Sequence, residues 1–176
     1  TVVWAYPGDI SSKEVAGQVA GSVNRFTTLR GADIQLMVLA GYAVVDNASM
    51  PVIGPPASSY DGFVDQLCAN ARAAVDQAVA MGVADPQRIA IGGHSHGALM
   101  TATLLAYTDL FRTGIACSGA YNHTLRPFGF QNERRPLWQA KLAYERNSPL
   151  MQADRIDEPL LLVHGEADAN PGTVPL

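Results

Sequence analysis

The chain has 176 residues, enough for one domain with a real core and short for two. Apolar residues make up 48% and charged residues 16%, a globular composition, and a net charge of −4 leaves no basic footprint for nucleic acid. No apolar run approaches the ~18 residues of a membrane span, and Cys68 and Cys117 offer neither metal-ligand spacing nor a disulfide framework. Both cysteines sit in apolar patterns and read as buried free thiols. No metal or cofactor is implied.

In chain order, Val2–Tyr6 reads as a strand and Pro7-Gly8-Asp9 as a turn, followed by a loop-rich region to about Met37. Leu36–Ala40 with Gly41 suggests a short helix with a glycine stop, and Tyr42–Asp46 a second strand. Over residues 60–81, Phe63, Val64, Leu67, Ala71, Ala74, Val75, Ala78 and Val79 recur at three- and four-residue spacing, one apolar helix face. Ser58 with Asp61 fits a capping box at its start, and Gly82 with Pro86 fits its end. A strand over Arg88–Gly92, a helix over Ala98–Tyr107 and strands at Ile115–Cys117 and Leu160–His164 follow. Residues 120–147, aromatic and basic, read as an insertion near the carboxyl edge of the sheet, with Trp138 and Tyr144 as core. Short apolar strands separated by helices predict an α/β fold, a mainly parallel sheet covered on both faces. The sequence opens inside a strand and stops at Val174-Pro175-Leu176 without a closing element. It therefore reads as a single partial domain over 1–176, incomplete at both ends.

Gly93-His94-Ser95-His96-Gly97 matches G-x-S-x-G between a strand and a helix, the setting of a nucleophile elbow. In so tight a turn, side chains two before and two after the serine would meet backbone, and Gly93 and Gly97 remove them. The backbone N–H of His96 is then one oxyanion donor. Downstream, His164-Gly165-Glu166-Ala167-Asp168 follows the last strand. Asp168 is preferred over Glu166 as the acid because it sits deeper in the loop; a solvated loop acid fits the spacing as well. The third partner should be a histidine after the acid, and none follows. His94 and His96 should splay away from Ser95, His164 reads as a packed or hydrogen-bonded strand end, and His123 is out of chain order. The base is expected in sequence beyond this chain, and the chain alone is expected to be inactive.

Several stretches together resemble the catalytic domain of the prolyl oligopeptidase family of serine peptidases, nearest its glutamyl endopeptidase branch. They are Gly92–Ala98, Ser118-Gly119-Ala120-Tyr121-Asn122, Pro127–Glu133 and His164–Thr173. The resemblance implies an α/β-hydrolase fold, Ser95 as nucleophile, Asp168 as triad acid and Tyr6 as second oxyanion donor. It also implies an upstream β-propeller capping the site, a downstream segment bearing the catalytic histidine, and a peptide substrate with an acidic residue before the cleaved bond. Arg126, Arg134 and Arg135 are candidates for binding that acid, and a solvated basic loop explains them equally. A carboxylester hydrolase of the same fold, or an inactive hydrolase-fold binding module, are the other readings. Neither a nucleic-acid nor a membrane partner is expected.

Overall fold

Five parallel strands form one sheet in the order β2-β1-β3-β4-β5 in the computed structural model, which describes residues 1–10, 34–55 and 57–170. The strands are β1 (Val2–Ile10), β2 (Val44–Ile53), β3 (Ala90–His94), β4 (Thr113–Cys117) and β5 (Leu160–Val163). The helices are α1 (Phe63–Ala80), α2 (His96–Tyr107) and α3 (Lys141–Arg146), with 3-10 segments at Ile34–Ala40 and Pro149–Arg155 among others. Most of the expected loop-rich region, together with Pro171–Thr173 and the Val174–Leu176 end, lies outside the described residues.

The expected turn at Pro7-Gly8-Asp9 is instead strand. β1 runs on beside β2 as far as Ile10↔Ile53, although its pairing with β3 stops at Trp4↔Gly92. Beyond Trp4 the strand is one-sided, and a one-sided parallel ladder uses only alternate amides, so a proline is tolerated there. Strand β2 is likewise longer than its apolar start suggested, because β1 templates it through Met50 and Val52, both buried.

The capping box before α1 does not form. A 3-10 turn, Ser59–Asp61, precedes the helix, and Ser58 makes no side-chain cap. The Asp61 carboxylate is drawn to Arg135 at 2.7 Å instead. The far end behaves as expected, with Gly82 at φ 73° receiving the chain after Met81. Helix α1 buries Phe63, Val64, Leu67, Ala71, Val75 and Ala78, while α2 is buried from His96 to Ala106. A helix apolar all round must be covered all round, and α2 packs on β1, β3 and β4, on α1 and on the 149–155 segment.

Right-handed crossovers place α1, α2 and the 149–155 segment on one face, since all three connections advance the same way along the sheet. The β1-to-β2 connection, whose described part includes Ile34–Ala40, advances the opposite way along the sheet. Adjacent strands β1 and β3 therefore send their chains in opposite directions. That reversal makes the carboxyl ends of β1 and β3 the switch point of the sheet, where α/β sheets bind ligands.

Candidate active site

Ser95 stands at this switch point, one residue past β3, with φ 58° and ψ −114°. A non-glycine residue holds that conformation only where its surroundings over-determine it. Here they do. A Cβ on Gly93 would lie 2.6 Å from the Gly97 carbonyl carbon and 2.7 Å from the Ala5 oxygen; one on Gly97 would lie 2.5 Å from the same oxygen. The two glycines let the elbow close against β1, and Ser95 N–H donates to the Cys117 carbonyl at 2.8 Å, tying it to β4.

Helix α2 starts at His96, so its unpaired first amides and positive dipole end face the serine. The His96 N–H donates to no described residue, which leaves it free for an anion. Tyr6 projects from β1 over the same turn, half exposed, its ring 6.0 Å from the His96 ring and edge-on to it.

The His96 side chain goes down rather than toward Ser95. Its ring stacks on Phe63 at 5.3 Å and lies 6.4 Å from Tyr60. Tyr60 meets Phe130 at 5.0 Å, and Phe130 stacks on His123 at 3.8 Å. These rings form a buried floor beneath the elbow. Burial pushes His96 down to about 4; burial, then the charges of His96 and Arg126, pushes His123 down to about 3. The His96 Nε2 and both His123 ring nitrogens are buried without a hydrogen-bond partner. Both rings are held neutral.

The insertion is anchored to this floor. Glu133, 1% exposed, pairs with Arg135 at 2.6 Å, and Arg135 reaches on to Asp61 before α1. Burial raises the Glu133 carboxyl, but the Arg135 hydrogen bonds and charge outweigh it and hold Glu133 below its ordinary value. Of the three candidate arginines, Arg135 is thus neutralised within the fold. Arg134 is exposed, while Arg126 is half-buried; neither forms an ion pair among the described residues. Arg126 closes the turn that begins at His123, its N–H donating to the His123 carbonyl at 2.9 Å.

Asp168 follows β5 in the Gly165–Asn170 loop. Its Oδ1 accepts the Asn170 N–H at 2.9 Å and its Oδ2 lies 3.3 Å from His164 Nε2. Sheet register aligns the ends of β3, β4 and β5 through His94↔Cys117↔Val163, so Ser95, Ser118 and His164 head the three loops side by side. No described residue hydrogen-bonds the Ser95 Oγ, and no described histidine is aimed at it: His94 is exposed, His96 and His123 lie in the floor, and His164 is on Asp168. Two smaller expectations need correction. Trp138 is 62% exposed and leans on Phe128, not on the core, although Tyr144 is fully buried. Cys68 and Cys117 are free but only half-buried, and burial still pushes both thiols up. Among the described residues no cluster of three or more metal-ligating side chains occurs, and no helix is long and apolar enough to cross a membrane.

The family model described as the prolyl oligopeptidase family matches residues 64–173, well over half of the sequence. This chain belongs to the prolyl oligopeptidase family. It is 50% identical over 173 residues to a probable chloroplastic glutamyl endopeptidase of Arabidopsis thaliana, covering 97% of this chain and 18% of that protein. The chain thus spans less than a fifth of that relative's length. Among solved structures, a Mycobacterium tuberculosis puromycin-hydrolyzing peptidase is 32% identical over 62% of this chain and 18% of its own, at TM-score 0.53. Porphyromonas gingivalis dipeptidyl peptidase 4 matches 97% of this chain and 24% of its own at TM-score 0.63 and 21% identity, a likeness of fold. The fold is that of the α/β-hydrolase peptidases.

The floor of neutral histidines and the Glu133–Arg135–Asp61 brace were not foreseen. No periodicity marks them, because their members come from distant segments. The His164–Asp168 contact had a faint signal, a four-residue spacing within a loop.

Proposed function

We propose that this chain carries the nucleophile, the acid and the oxyanion donors of a serine peptidase. The strained elbow is the observation that carries this reading: a serine at positive φ, wedged by two glycines, at the switch point of the sheet. In the proposed reaction Ser95 Oγ attacks the scissile carbonyl while a histidine takes its proton. The oxyanion is met by the His96 N–H and the Tyr6 hydroxyl. Collapse expels the amine, which receives the proton, and water then hydrolyses the ester on Ser95. Since His96 and His123 lie in the floor, His164 faces Asp168 and His94 is exposed without contact to Ser95, the base is assigned to another part of a longer polypeptide, and the chain alone is inactive.

The finer proposal is a preference for an acidic side chain before the cleaved bond, read by Arg126. The name of the plant relative supports it, and so does a half-buried arginine with no carboxylate partner next to the site floor.

In the test, one sample of the full-length protein is treated with a fluorophosphonate, and a separate untreated sample is assayed on matched Glu- and Leu-containing peptides and esters. Covalent label on Ser95, absent in Ser95→Ala, is expected, with Arg126→Gln lowering kcat/KM for the Glu peptide about 10-fold or more and leaving the Leu peptide unchanged. An unlabelled Ser95 would sink the nucleophile; equal losses on both peptides would sink the role of Arg126.

A further inference from the structure

The acid loop has an anchor that the peptidase reading does not require. Within Gly165–Asn170 the contacts of Asp168 are local: its N–H donates to the Gly165 carbonyl at 3.1 Å and its Oδ1 accepts from Asn170. Gly165, Glu166 and Ala167 are exposed, and a Cβ on Gly165 would touch nothing within 4 Å. Such a loop does not by itself hold a carboxylate to the tolerance that a triad demands. Among the described residues, the side chain that Asp168 meets at the end of the sheet is His164, the first residue after β5, whose Nε2 lies 3.3 Å from Oδ2 with both side chains about four-fifths buried. His164 also borders a mostly apolar cavity of about 230 Å³ whose lining includes Ala102, Leu125, Ile156, Leu160 and Leu162 together with Tyr121 and Asn122.

We infer that His164 is a positioning residue for Asp168, an imidazole whose Nε2–H holds the carboxylate against the end of β5 so that it can orient the base. The inference rests on the reading of Ser95 and Asp168 as nucleophile and acid. His164 is not itself the base. Two strand spacings, about 10 Å, separate the ends of β3 and β5, and the imidazole cannot span that gap while facing Asp168. At 3.3 Å the contact is off-line for a hydrogen bond, since Nε2 has no aligned acceptor; hydrogen bonds in unliganded active sites are often long or poorly aligned and tighten only in the substrate complex.

The rate constant for fluorophosphonate labelling of Ser95, measured in the full-length protein beside thermal melting, tests this. His164→Ala is expected to label about 10-fold more slowly at an unchanged melting temperature, the size of coupling usual for residues in contact. His164→Gln, which keeps an N–H donor, should recover most of the rate. In an Asp168→Asn background, His164→Ala should cost nothing more. Wild-type rate in His164→Ala, equal impairment of the Gln and Ala variants, or the same fold-loss in both backgrounds would each overturn the inference. The two failures are distinguishable: an unlabelled wild-type Ser95 brings down the nucleophile reading beneath it, whereas a labelled Ser95 indifferent to His164 brings down the positioning role alone.

Discussion

The two halves of the site sit at carboxyl ends of the same sheet and are held in opposite ways. On the β1/β3 side, Ser95 is fixed by backbone against backbone, with Gly93 and Gly97 pressed on Ala5 and a floor of stacked rings beneath. On the β5 side, Asp168 hangs from a strand whose Leu161, Leu162 and Val163 are about half exposed, in a loop with open space around Gly165. In the roles proposed above, the serine is held in a strained conformation by tight packing, whereas the carboxylate has to be oriented by a few well-placed contacts. Many contacts agree at the elbow, whereas among the described residues Asp168 itself meets only Gly165, Asn170 and His164 through polar contacts.

The largest effect is expected where the elbow side holds a buried charge. Arg135→Met strands Glu133, 1% exposed, and should cost about 3 kcal/mol in urea unfolding, the lower end for a broken buried pair because Arg135 itself is 27% exposed. A loss below about 1 kcal/mol would show that the insertion does not brace the floor. Next, Gly97→Ala sets a Cβ 2.5 Å from the Ala5 oxygen and should cost about 2–3 kcal/mol while slowing Ser95 labelling. Unchanged stability there would remove the contrast between the halves.

Acid should also weaken the elbow side. The floor keeps His96 and His123 neutral down to about 4 and about 3, while both titrate near 6.5 once unfolded. As pH falls below 6.5 the unfolded chain binds protons that the folded chain refuses. Stability is therefore present above 6.5 and is lost on acidification, by up to about 1.4 kcal/mol per pH unit for each histidine. Urea midpoints at pH 7, 6 and 5 would show the slope, and His123→Phe should remove about half of it. A flat profile in the wild type would mean that the floor tolerates charge. The smallest effect belongs to the acid loop: Gly165→Ala should shift stability by less than about 0.5 kcal/mol, and a larger cost would show unexpected rigidity there.

Much of this was legible in the chain itself. The apolar periodicity of 63–79 specified α1 because a helix buries one stripe, and the short apolar runs specified parallel strands because both of their faces are covered. The G-x-S-x-G turn was readable since strand, turn and helix are contiguous, so every steric demand on Gly93 and Gly97 is written within a few residues. The extent of β1 past Pro7, the diversion of Asp61 from a cap to Arg135, and the assignment of Trp138 to the surface were decided only in three dimensions. So were the floor that neutralises His96 and His123 and the approach of His164 to Asp168. Local sequence encodes what a segment can form through its own backbone and spacing. Which distant side chain satisfies a buried charge or fills a stack depends on sheet order and register, and these exist only once the chain has folded.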